Sequence, residues 1–206
     1  MRPIRRALLV LMSACACTLV QAQDRMPPLS ENELTPAQDA VVEELLTVRG
    51  IAPRGPWIPL LRSPEVLTRA RSMGDYLRYE SALPPRLSEL VILLVAREWT
   101  QHYEWYAHRD IAIEAGLSRN TVGAIAAGRY PDELQEDEAA IYDFCVELMR
   151  EKDVSDTNYS RVSELYGEQG VIDTVGIVGY YTLLAMVMNT ARTPLPGDAE
   201  SELEPL

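Results

Sequence analysis

Thiol and imidazole groups are scarce in this chain, which has three cysteines and two histidines among 206 residues. Two of the cysteines, Cys15 and Cys17, lie in the first 22 residues, so a chain shortened there keeps Cys145 alone. One thiol makes no internal disulfide, and stability has to come from packing. Basic side chains are also in deficit, 19 against 31 acids, giving a formal net charge of −12 and a pI near 4.6. So acidic a surface repels nucleic-acid phosphates and anionic lipid head groups, which sets nucleic acid aside as a partner. Several chemistries lack their residues altogether. There is no glycine-rich phosphate loop and no G-x-S-x-G elbow. The H-x-E-x-x-x-H run at 102–108 lacks the i, i+4 histidine pair of H-E-x-x-H. No third histidine or second cysteine completes a zinc site, so no metal is expected.

What is present suits one packed domain, with 47% hydrophobic and 24% charged residues. At the N-terminus Arg2, Arg5 and Arg6 precede an apolar run from Ala7 to Val20, and Val20-Gln21-Ala22 places small residues at −3 and −1. The pattern is that of a secretory signal peptide over residues 1–22, cut after Ala22, which implies a secreted or periplasmic protein. Lipidation at Cys15 is the alternative. The run is too short for the roughly 20 residues of a membrane span. Losing the leader takes the net charge from −12 to −15. Residues 23–38 read as a proline-containing polar linker, 39–192 as the helical domain and 193–206 as an acidic tail, both ends solvated.

Between those ends the apolar period is helical and sustained strand alternation is absent, so the fold class is all-α. Ser63-Pro64-Glu65 opens a helix with Val66, Ala70, Met73 and Leu77 on its buried stripe. Leu83-Pro84-Pro85 opens a second, apolar almost all round. Further helices are expected at 100–115, ended by Gly116, at 118–127, ended by Gly128, and at 136–150, 155–166 and 171–190. The last is apolar enough to raise the membrane question. Asp173, Thr174, Asn189 and paired tyrosines favour a core helix, with Gly176 and Gly179 allowing a neighbour to approach closely.

Both histidines fall in Gln101-His102-Tyr103-Glu104-Trp105-Tyr106-Ala107-His108. With about 100° per residue, Glu104 and His108 sit about 40° apart, with Gln101 beside them. His102 lies opposite and reads as structural. With Thr100 as cap, Glu104 ends the first turn, where the helix dipole favours a carboxylate. A glutamate one turn before a histidine can orient the ring and raise its pKa, making it an acid at neutral pH. Equally, the two can be a surface i, i+4 pair, and the flanking Trp99, Tyr103, Trp105 and Tyr106 can be pocket walls or core.

The run Leu83-Pro84-Pro85-Arg86-Leu87-Ser88-Glu89-Leu90, then Tyr103-Glu104-Trp105-Tyr106-Ala107-His108, Ala115-Gly116-Leu117-Ser118, and Val178-Gly179-Tyr180-Tyr181-Thr182-Leu183-Leu184-Ala185 with Asn189 resembles the carboxymuconolactone decarboxylase family, which shares the AhpD fold. The resemblance extends over about 41–194. It implies an all-helical AhpD-like domain assembled as a homotrimer or hexamer. In the family's peroxidase branch, C-x-x-C and three residues precede the histidine. The matching positions here hold Gln101 and Glu104, so the redox pair is absent, and Cys145 reads as a small buried apolar residue.

By that resemblance His108 is the acid–base group, Glu104 its orienter or a second proton carrier, and Glu89 the relay partner. Gln101, Trp105, Arg86 and Tyr181 are candidate substrate contacts, with Arg97 a second candidate for a substrate carboxylate. The expected activity is a cofactor-independent carbon–carbon lyase of decarboxylase type acting on a small carboxylated or lactone substrate. An AhpD-like peroxidase and a non-enzymatic small-ligand-binding oligomer are the alternatives. Aromatic-acid catabolism is expected inside cells, so an exported protein points to a related compound.

Overall fold

The computed structural model describes residues 23–204, and the leader expected over 1–22 lies outside them. Among the described residues every regular element is helical. After a 3-10 turn at Glu31–Glu33 come α1 (Pro36–Arg49), α2 (Trp57–Leu60), α3 (Pro64–Tyr79), α4 (Pro85–Glu98), α5 (His102–Glu114), α6 (Arg119–Ala126), α7 (Glu136–Glu151) and α8 (Asp156–Ala191).

The all-round apolar helix is the centre of the molecule. Every α4 residue from Leu87 to Arg97 is buried, and α5, α7 and α8 pack around it. Full burial of a Leu or Ile contributes about 1.5–3 kcal/mol, so this helix supplies much of the core. Its start follows the Pro84-Pro85 signal, with Pro85 at the first helical position. Thr35 caps α1 by accepting from the Gln38 amide, and the Gln38 side chain reaches on to the Leu61 carbonyl at 3.1 Å. The ordered chain thus begins before Asp39. Ser118 caps α6, accepting from the Thr121 amide at 2.9 Å. Gly116 (φ 113°) and Gly128 (φ 67°) take the left-handed conformations expected after α5 and α6.

Two helix readings are corrected. Ser63 stands at the cap position of α3 but its side chain makes no cap hydrogen bond. The buried stripe of α3 is Leu67, Ala70, Gly74 and Leu77, while Val66 and Met73 are exposed. Gly74 explains the rotation, because a Cβ there would lie 2.2 Å from the Tyr180 hydroxyl, so the glycine face is the one that meets α8.

The helices expected at 155–166 and 171–190 are the two limbs of α8, interrupted at Gly167 (φ 69°, ψ 180°). By length and composition α8 could cross a membrane. Its inner side, including Ile177, Tyr181, Leu184, Ala185 and Met188, is buried in this fold. Asp173 is buried too, accepting from the Ala82 amide at 2.8 Å and the Tyr76 hydroxyl at 3.1 Å. Gly176 does permit close approach, since a Cβ there would meet Leu77 at 3.0 Å, whereas Gly179 faces open space.

The chain ends are less solvated than their composition suggests. The Arg25 amide donates to the Ala191 carbonyl at 2.8 Å. At the other end Leu203 is buried, Ser201 Oγ bonds His102 Nδ1 at 2.6 Å, and Glu202 accepts from Trp105 Nε1 at 3.2 Å and pairs with Arg109. The acidic segment is therefore a strap along α5.

Candidate active site

The start of α5 is built by its own sequence. Thr100 turns the chain through φ 44°, and Gln101, not Thr100, caps the helix. Gln101 Oε1 accepts from the amides of Tyr103 (2.7 Å) and Glu104 (3.2 Å), while its Nε2 donates to Asn189 Oδ1 at 2.9 Å. Asn189 in turn donates to the Trp99 carbonyl at 3.1 Å. The cap is thereby fixed to α8, and the face of α5 bearing Glu104 and His108 turns inward. Both side chains are buried.

His108 lies where a cavity of about 590 Å³ meets the core. Its Nδ1 is 2.7 Å from Glu89 Oε2 on α4. A glutamate partner takes the Nδ1 side of the ring and leaves Nε2 for a ligand. The other Glu89 oxygen, Oε1, accepts from Arg78 of α3 at 3.3 Å. Tyr181 of α8 meets the imidazole edge to face, with ring centroids 5.2 Å apart. Four helices converge on one ring. Aromatic walls from Trp57, Tyr103, Tyr106 and Tyr180 complete the cavity, with Arg54 and Asp110 also lining it.

The orienter of His108 differs from the one its helix spacing suggests. Glu89 takes that place, and Glu104 makes no hydrogen bond to the ring. Both Glu104 oxygens are buried with no hydrogen-bond partner, and burial pushes its carboxyl well above the usual carboxylate range. Burial thus favours its protonated form. Tyr181 is held well above the ordinary phenol range, chiefly by burial, although Arg78 opposes the shift; Glu89, Tyr180 and Glu104 add to it.

Of the candidate substrate contacts, Tyr181 lines the cavity. Gln101 is buried as the cap of α5. Trp105 faces the C-terminal strap through Glu202, away from the cavity. Arg86 bonds Asp137 at 2.7 Å and also Glu138, which ties α4 to the start of α7. Arg97 is buried and donates to the Glu204 carbonyl at 2.7 Å. Trp99 belongs to a separate apolar groove with Met149 and Val178. The residues that sequence reasoning missed are Arg78, Arg54 and Trp57. No local pattern marks them, because they reach the cavity of His108 only through the crossing of α3 and the packing of α2 and the loop before it.

Among the described residues no group of three or more His, Cys, Asp or Glu is placed to hold a metal. Cys145, the free cysteine among them, is buried in α7, and burial raises its thiol pKa. A buried, protonated thiol is a poor nucleophile.

Residues 64–144 match the carboxymuconolactone decarboxylase family. No curated protein matches the chain. Among solved structures it is similar to a peroxidase-related protein with an alkylhydroperoxidase AhpD core from Ralstonia eutropha JMP134, at TM-score 0.69 and 16% identity, over 84% of this chain and 92% of that one. It is also similar to a variant of the debrominase Bmp8 in complex with 2,3,4-tribromopyrrole, at TM-score 0.64 and 15% identity, over 85% of this chain and 93% of the other. At these identities the likeness establishes the AhpD-like fold.

Proposed function

We propose that this chain, which carries the carboxymuconolactone decarboxylase family pattern over residues 64–144 on an AhpD-like scaffold, is an enzyme using His108 for acid–base chemistry on a small carboxylated or lactone-like compound. The observation that carries the reading is the His108–Glu89 pair, 2.7 Å apart, at the wall of a cavity of about 590 Å³. Such a volume suits a small organic substrate.

A carboxylated lactone that loses carbon dioxide breaks one carbon–carbon bond and leaves its electron pair on the ring. The lactone carbonyl accepts that pair as an enolate, and a proton then returns to carbon. The substrate is its own electron sink, so the protein has to supply a proton and a donor for the developing oxyanion. His108, paired with Glu89 through Nδ1, presents Nε2 for the proton. Tyr181, kept neutral by burial, offers a hydroxyl beside the same ring. Glu104, buried one turn before His108 on α5, is the second proton carrier of this proposal.

The peroxidase reading requires a thiolate pair, and Cys145 is both single among the described residues and buried. Export through the leader-like residues 1–22 and assembly as a trimer or hexamer belong to the same proposal, resting on those residues and on the family resemblance.

The deciding experiment uses 4-carboxymuconolactone as the probe substrate. His108→Ala is expected to lower turnover by about 100-fold or more while melting temperature and oligomeric state stay unchanged. Equal turnover in the variant removes His108 from the mechanism. Peroxide consumption that vanishes in Cys145→Ser would instead favour the antioxidant reading.

A further inference from the structure

We propose that Arg78 is an exchangeable anchor, which leaves Glu89 to grip the carboxylate of a small planar ligand and so leaves Glu89 to His108 alone. The inference rests on the cavity being the substrate site, and names what holds the substrate there.

The cavity gathers guanidinium groups in an otherwise acidic protein. The chain has a net charge of −12, yet the cavity wall carries both Arg54 and Arg78, with Asp110 on the same wall and Glu89 bonded to Arg78 and His108. Two guanidinium groups in one hollow give a small anion a place to bind. Arg54 is exposed at the rim, whereas Arg78 sits deeper, its side chain 27% exposed and its guanidinium 5.4 Å from the Tyr79 ring centroid. The aromatic walls of Trp57, Tyr103 and Tyr106 favour a flat ligand.

Arg78 is held loosely by its partner. Its contact with Glu89 uses one nitrogen at 3.3 Å, longer than the 2.7–2.9 Å of a good charge-assisted bond. The same carboxylate makes its short contact, 2.7 Å, with His108. A planar guanidinium fork matches a carboxylate by two parallel bonds, so a ligand carboxylate offers Arg78 more than Glu89 does. Once Arg78 turns to the ligand, Glu89 keeps its short bond to His108 alone, and the ring stays oriented beside the bound carboxylate.

The test titrates the protein with benzoate, using benzamide as the uncharged match, while the ring resonances of His108 and His102 are followed. Benzoate is expected to shift His108, leave His102 in place, and bind at least tenfold more tightly than benzamide. Arg78→Met is expected to weaken benzoate tenfold or more without changing benzamide binding, and Arg78→Lys to keep an intermediate affinity. A crystal structure with benzoate would place its carboxylate on Arg78 and open the Arg78–Glu89 contact. If Arg78→Met does not fold, Arg78→Lys together with that structure decides. The proposal is overturned if wild-type protein shows no saturable benzoate binding, if benzamide binds as tightly, if Arg78→Met binds benzoate like wild type, if Arg54→Met rather than Arg78→Met abolishes it, or if Arg78 stays on Glu89 with benzoate bound. Benzoate held by Arg78 in a protein whose turnover does not need His108 would leave this anchor standing and remove the acid–base function.

Discussion

Glu104 carries two carboxyl oxygens in a site closed to solvent with no hydrogen-bond partner for either. Burial without a partner disfavours a charge there and favours the protonated carboxyl in the folded protein. Its folded pKa is raised above the unfolded value near 4.5. Above that value the unfolded chain releases a proton that the native state keeps, so this residue makes stability fall as pH rises towards its folded pKa. Glu104→Gln removes that dependence. The variant's stability relative to wild type should therefore improve by up to about 1.4 kcal/mol per pH unit on going upward from pH ~4.5. Urea unfolding at several pH values checks this, and a pH-independent difference would mean that Glu104 ionises in the fold. The sequence placed Glu104 and His108 on one helix face, which the helical period dictates. The family resemblance named Glu89, 19 residues earlier, as a relay partner, but the helical period could not reveal that it takes the imidazole, because that depends on how α4 and α5 lie against each other.

At the scale of elements, the cap of α5 and the C-terminal strap act on the same helix from opposite sides. Gln101 joins α5 to Asn189 of α8, and Ser201, Glu202 and Leu203 cover His102 and Trp105. Pro196, at the start of the strap, lines the cavity. Leu203→Asp is expected to release the strap at a cost of about 1–2 kcal/mol, because the segment can undock instead of carrying a charge inside. Faster cleavage after residue 193 by a protease, with the helical core intact, is the measurement; unchanged cleavage would mean that the strap is not held by Leu203. Composition could not show this docking. Four acids and three prolines read as solvent-seeking, and one leucine with one glutamate aimed at an indole outweighs them only once Trp105 and Arg109 are in place. The α3 stripe was misjudged for a related reason, since Gly74 adds no hydropathy yet decides which face meets Tyr180.

For the whole molecule, the outward side of α8 leaves Ile172, Val175 and Met186 exposed at helical spacing, beside the apolar groove of Trp99, Leu148 and Met149. If trimers or hexamers form, as the family resemblance implies, this stripe is the surface to cover, and Val175→Asp should shift light-scattering mass towards a monomer while helicity stays constant. An unchanged mass would place the contact elsewhere. The amino-acid sequence by itself determined that the chain is helical, that α4 is buried all round, where most helices stop, and that no C-x-x-C pair precedes His108, since each follows from local period, turn chemistry or residue type. Only the tertiary structure decided that Glu89 rather than Glu104 holds the imidazole, that Arg78 rather than Arg86 or Arg97 reaches the cavity, and that the acidic end folds back on α5. Those outcomes depend on which helices cross and at what rotation, and that is set by close packing summed over the whole core.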